Sequence, residues 1–256
     1  MRPELIYVYD GSFDGFLTCV FDSFSAKSEG GAPTVTQIYK TGDVQLTIGA
    51  QIVEIAADSA KAERVYNGIS QKLGAQALRH VYCATLSAEP DAETAALAFL
   101  RLAFKRGRKV SDDLADPRVW RMFEIARTIG REQERYIQFL RFSELEGGIL
   151  FAEFEPEANV LPLILPHFSD RLTSLPFIIH DTRRLIAGVY DTKEWVLVSS
   201  SDMNLPRISD KENEYRDLWQ LFFHSVAIKE RKNLKLQSQF MPKKYWNHLL
   251  ETHPKQ

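Results

Sequence analysis

"FLRFSELEGGILFAEFE", residues 139–155, is where the chain changes period. Before it, apolar residues recur at helical spacing. Within it, "FLRFSEL" and "ILFAEFE" read as short extended runs joined through Glu146-Gly147-Gly148, a hairpin signal. Helical patterns on one side and strand patterns on the other predict an α+β protein. The expected organisation is a mainly helical N-terminal lobe with a short strand at its start, residues 1–138, and a C-terminal lobe, residues 139–256, whose antiparallel sheet is flanked by helices. The two lobes are read as one folded unit.

Upstream of the switch, "LIYVYD" (5–10) is rich in aromatic and β-branched residues and predicts a buried strand ending at Asp10-Gly11. Ser12 then starts a helix with Phe13, Phe16, Leu17, Val20, Phe21 and Phe24 on one face. "KSEGGAPT" (27–34) is a loop, and "TQIYK" and "VQLTI" predict a strand pair turned at Thr41-Gly42-Asp43. Asp58 caps a helix that stops at Gly74. Three more follow in "ALRHVYCATLS", "DAETAALAFLRLAFKRG" and "DPRVWRMFEIARTIGREQERYIQFL", the last with Asp116 as cap and Pro117 in first position.

Downstream, "NVLPLILPHFSDRL" predicts a short helix. "PFIIHD", "RLIAGVYD" and "EWVLVSS" predict three antiparallel strands with turns at "DTRR" and "DTKE". Tyr215, Leu218, Trp219, Phe222 and Val226 fall at i, i+3, i+4, i+7 and i+11 of a further helix, and Pro242 is placed to start a final one.

The 32 basic side chains against 34 acidic ones leave a net charge of -2, so no global field draws the chain to nucleic acid or anionic lipid, and any such binding is local. Cys19 and Cys83, each among apolar residues, are read as buried and reduced, and two thiols do not furnish a zinc or iron-sulfur site. Phosphate-loop, dinucleotide and His-Glu-x-x-His motifs are missing, so neither cofactor nor metal is expected. No apolar run is long enough to span a bilayer and no secretory signal opens the chain, which is read as soluble and cytoplasmic.

Positive charge does gather locally. From Lys229 to Trp246, Lys229, Arg231, Lys232, Lys235, Lys243 and Lys244 face only Glu230, a local charge of +5, with Tyr245 and Trp246 beside them. Such lysines neutralise phosphates and such rings stack on unpaired bases; the plainer alternative is a solvated loop with its aromatics in the core. "KRGRK" (105–109) ends a helix, where the dipole alone favours cations. Arg127, Arg131 and Arg135 share one helix face, extending a phosphate track or pairing with Glu124, Glu132 and Glu134. For catalysis the candidates are Asp10 and Asp14 around the first turn, and His180 and Asp181 in "IIHDTRR", as metal ligands or acid-base groups. The alternative is that Asp10 fixes a turn, Asp14 answers the helix dipole and Asp181 begins another turn.

"YDGSFDGFLTCVFDSF", "FLRFSELEGGILFAEFEP", "HFSDR", "IIHDTRR" and "AIKERKNLKLQSQFMPKKYW", in that order, resemble a bacterial family of DNA-metabolism proteins built on a domain of unknown function. The resemblance covers nearly the whole chain. It implies association with a radical SAM enzyme of DNA modification or repair; a related domain is fused to uracil-DNA glycosylase-like domains. The resemblance carries over no catalytic residues. The reading is an accessory DNA-binding protein in which the six basic residues from Lys229 to Lys244 hold phosphate, Tyr245 and Trp246 stack, and Arg127, Arg131 and Arg135 continue the track. The alternatives are a metal-dependent enzyme acting directly on DNA, and a protein-binding adaptor without DNA affinity.

Overall fold

Leu5–Tyr9, all five residues buried, forms β1, the middle strand of a parallel sheet ordered β2-β1-β3 with β2 at Val35–Lys40 and β3 at Gln51–Glu54. The structure is a computed structural model, and it describes residues 5–25, 35–44, 49–201, 203–204, 206–228, 231 and 233–248. A strand buried on both faces suits the central place in a parallel sheet. The turn expected at Thr41-Gly42-Asp43 is present, the Asp43 amide donating to the Lys40 carbonyl at 3.1 Å. β2 pairs in parallel with β1, Tyr7 opposite Ile38, and Thr41 returns its amide to the Tyr9 carbonyl at 2.8 Å. The alternation in "TQIYK" specifies a strand but not its neighbour. Of the expected partner strand, residues 45–48 lie outside the described residues.

Helices α1 (Phe13–Ser25), α2 (Ser59–Lys72), α3 (Ala75–Leu86), α4 (Ala92–Arg106) and α5 (Pro117–Phe139) follow where the apolar stripes and caps put them. Asp58 accepts from the amides of Ala60 and Lys61 at 3.0 and 3.1 Å, satisfying two donors at the start of α2. Gly74, at φ 95°, allows α3 to begin with only two residues between it and the end of α2. Cys19 and Cys83 are both free and buried. The chain divides into two compact units, Met1–Arg131 and Glu132–Gln256, with α5 running through the division.

In the second unit the sheet is ordered β4-β5-β6-β7-β8, from Ser143–Glu144, Leu150–Phe154, Phe177–Asp181, Ile186–Tyr190 and Trp195–Ser199. Gly147 and Gly148, at φ 92° and 78°, make the β4-β5 hairpin. The sheet is mixed rather than wholly antiparallel. β5 and β6 pair in parallel, Leu150 opposite Phe177, because α6 (Leu161–Arg171) carries the chain back to the end from which β5 started. The remaining pairs are antiparallel. The fold is α+β, with helices before the sheet and on its flanks.

Leu165 of α6, fully buried, lies against Gly188 of β7. A Cβ at Gly188 would stand 2.6 Å from Leu165 Cδ1 and 2.9 Å from its Cγ, so Gly188→Ala is expected to cost about 1–3 kcal/mol through overpacking. Urea unfolding checks this; an unchanged midpoint would mean that Leu165 moves aside freely.

After β8 come α7 (Asp210–Val226), capped by Ser209, and α8 (Leu234–Phe240). In place of the helix expected from Pro242 there is a short 3-10 stretch, Lys243–His248. Among the described residues no helix is long and apolar enough to cross a membrane.

Candidate functional site

The basic residues around α5 fall into two kinds. Arg118 and Arg106 reach Asp116 at 2.7 and 3.6 Å, and Arg121 holds Glu89 and Asp91. The hydrogen bond from Arg118 keeps the Asp116 carboxyl far down, to about 2. Arg127 and Arg131, one turn apart, are exposed and form no ion pair among the described residues. The pairing considered for them with Glu124, Glu132 and Glu134 is not made: Glu124 lies 3.8 Å from Arg121, Glu132 turns to Lys244, and the exposed Glu134 forms no ion pair among the described residues. Arg135, one turn on, is half-buried beside Tyr245.

The cluster near the C-terminus divides similarly. Arg231, Lys235 and Lys243 are exposed, whereas Lys229 and Lys232 lie outside the described residues. The Lys244 ammonium sits 2.9 Å from Glu157 Oε1 and 3.3 Å from Glu132 Oε1. Partial burial works against its charge, but the two carboxylates outweigh it and leave its pKa raised, while that of Glu157 is lowered. Glu132, itself buried, also accepts from the amides of Glu157 and Ala158, both at 3.0 Å. A lysine held this way anchors its segment to α5.

Tyr245 completes that anchor. Its ring is 3% exposed and packs 5.0 Å from Tyr136 and 5.5 Å from Phe139, so it has no face open to a base, contrary to the stacking role expected of it. Burial raises its phenol pKa, and Lys244 and Arg135 pull the other way. Trp246 is half-buried and donates its indole N–H to the Met241 carbonyl at 2.9 Å.

Among the catalytic candidates, Asp10 accepts from the Ser12 amide and hydroxyl at 2.9 and 2.6 Å, and Ser12 Oγ in turn accepts from the Gly15 amide. This is a turn followed by a helix cap. Asp14 is exposed in the first turn of α1. Asp181, fully buried, accepts from the amides of Arg183 and Arg184 and pairs with the Arg184 guanidinium at 2.9 Å. His180 places Nδ1 3.4 Å from Glu153, and its buried Nε2 has no hydrogen-bond partner. Among the described residues no three His, Cys, Asp or Glu side chains are grouped to hold a metal ion.

Two features were not foreseen. At the carboxyl end of the parallel strands, Lys40 Nζ lies 3.0 Å from the buried Glu93, to which the Tyr9 hydroxyl donates at 3.2 Å. Burial raises the Glu93 carboxyl pKa against the pull of Lys40. Lys40 and Glu93 edge a cavity of about 160 Å³ lined also by Asp43, Ser87 and Glu89. The available signal was Glu93, which stands with Ala96, Leu97 and Leu100 at i+3, i+4 and i+7 and so puts an acid on the apolar stripe of its helix. The second feature is α7, which meets the protein through its polar positions: Glu212 accepts from the Glu144 amide, and Arg216 donates to Ser143 Oγ at 2.5 Å. Tyr215, Leu218, Phe222 and Val226 are 65, 60, 55 and 55% exposed. At the far edge of the sheet, β8 likewise exposes Val196, Leu197 and Val198.

No curated protein matches the chain. A family described as a domain of unknown function (DUF4130) matches residues 90–251, from the start of α4 to beyond the 3-10 stretch, and leaves the parallel sheet outside the match. With well over half of its length inside that match, the chain belongs to the DUF4130 family.

Proposed function

We propose that the chain is an accessory DNA-binding protein of DNA metabolism or repair that works beside a partner enzyme of the radical SAM class. The observation that carries the reading is the contrast on α5: its neighbours Arg118 and Arg121 are ion-paired, while Arg127 and Arg131 stand exposed one turn apart and unpaired among the described residues. Guanidinium groups left in this state are suited to phosphate. Arg231, Lys235 and Lys243 supply further exposed charge. Lys244 and Tyr245 are assigned to anchoring their segment instead. The family resemblance supplies the link to DNA and to the partner.

The test is binding to labelled single- and double-stranded DNA across a salt series, with and without the partner. Arg127→Glu with Arg131→Glu is expected to weaken binding tenfold or more and to reduce the salt slope by about 2, roughly 0.9 for each phosphate no longer neutralised. Unchanged affinity and slope in that variant would sink the proposal. A role as a protein adaptor is favoured by one observation, the exposed apolar face of α7. Absence of DNA affinity under every condition, with partner binding retained, would put that reading first.

A further inference from the structure

A cavity of about 270 Å³ lies in the first unit, among α3, α4, α5 and the 3-10 turn Arg108–Asp112. Phe99, Val119 and Met122, at most 3% exposed, make its floor, and Phe123 adds a second ring to its wall. The rim is polar. Gln76 and Asp112 are exposed there, His80 and Ser111 half-buried, and none of the four side chains forms a hydrogen bond or ion pair among the described residues. Burial and the neighbouring Arg79 lower the His80 pKa, which leaves the ring neutral at pH 7, one nitrogen donating and the other accepting. An apolar bed edged by a few unpaired donors and acceptors is what a small-molecule site consists of, and this one falls just below the usual range of about 300–1,000 Å³. Its size suits one compact ring system.

The chemistry of the rim narrows the ligand. The Asp112 carboxylate repels anions and accepts N–H groups, while Gln76 both donates and accepts. Two of the surrounding elements also carry exposed cations. Arg127 and Arg131 follow Phe123 at i+4 and i+8, so they continue the helix face that lines the cavity, and Arg108 and Lys109 stand exposed in the same 3-10 turn as Ser111 and Asp112. Trp120, 43% exposed, has its ring 5.8 Å from that of Phe123. We propose that the cavity takes a nucleobase, its faces against Phe99 and Phe123 and its N–H edge toward Gln76 and Asp112. A base in a strand reaches such a pocket when it is unpaired or turned out of the stack. Arg127 and Arg131 then hold the phosphates beside it, and in that form the inference rests on the DNA-binding reading. A free nucleoside offers the same ring without those contacts.

The chain has four methionines, and Met122 reports on the cavity floor. With the methionine methyl groups isotopically labelled, the four deoxynucleosides and a short single-stranded oligonucleotide are titrated in turn by NMR, with deoxyribose phosphate as the control. The Met122 methyl resonance is expected to move with the nucleosides and the oligonucleotide and to stay in place with the sugar phosphate. Gln76→Ala with Asp112→Ala is expected to raise the nucleoside dissociation constant about tenfold or more, the cost of two hydrogen bonds, with the thermal melt unchanged because both side chains are exposed. Arg127→Glu with Arg131→Glu is expected to weaken the oligonucleotide alone. A Met122 resonance that moves with none of the probes overturns the proposal, and it leaves the DNA-binding reading intact where the salt series shows binding. Equal movement with the sugar phosphate, or an affinity untouched by the rim variant, also overturns it. Movement with nucleosides in a chain without DNA affinity upholds the cavity as a nucleoside site and sinks the DNA-binding reading instead.

Discussion

Asp181→Ala is expected to destabilise the second unit by about 3–5 kcal/mol, the usual cost of removing one partner from a buried charge pair. Asp181 is fully buried at the end of β6; it takes the amides of Arg183 and Arg184 at 3.0 and 3.1 Å and the Arg184 guanidinium at 2.9 Å. Without it two backbone donors lose their acceptor. Arg184, which also donates to the carbonyls of Pro156 and Glu157, is left without its counter-charge. Asp181→Asn keeps an acceptor but removes the charge, and a smaller loss of about 1–3 kcal/mol is expected. Urea denaturation of both variants decides the matter. An alanine variant within about 1 kcal/mol of the native protein would show that the turn does not depend on this carboxylate.

Phe154→Ala is expected to cost a similar amount, about 3–5 kcal/mol, for a different reason. Phe154 is fully buried in β5 and meets the Tyr136 ring edge-on at 4.8 Å, and Tyr136 meets Tyr245 at 5.0 Å. The cavity would open beneath the residues that hold the 243–246 segment. The losses from Phe154→Ala and Tyr245→Ala are therefore not expected to add; a coupling of about 0.5–3 kcal/mol is normal for residues that share a packing partner. A double-mutant cycle measures it. Strict additivity would mean that Tyr136 does not transmit the packing between them.

What was legible in the sequence was what depends on near neighbours. The Asp58 cap, the start of α5 at Pro117 and the turn at Gly147-Gly148 each involve residues within a few positions of one another, and each is found where the local pattern put it. The parallel β5-β6 pair was not legible, because alternation along a strand says which face is apolar and nothing about the direction of its neighbour. The basic cluster misled for a related reason. The carboxylates that hold Lys244 lie 112 and 87 positions away, so its charge looked free when counted along the chain. The stripe on α7 was seen, but periodicity does not say which side of an amphipathic helix the rest of the protein takes.

The parallel pairing of β5 with β6 also bears on how the sheet assembles. β6 with β7 and β7 with β8 are hairpins whose partners, Asp181 with Ile186 and Tyr190 with Trp195, are joined by short turns; such hairpins close in about 1–10 μs. Leu150 instead has to find Phe177 across the whole of α6, and pairings so distant along the chain form late. During synthesis β5 emerges before every strand of its sheet except β4, its two-residue neighbour. An inner strand of the sheet is thus made early and paired late, and "ILFAEFE" is the stretch that a nascent chain must keep from wrong partners until β6 arrives.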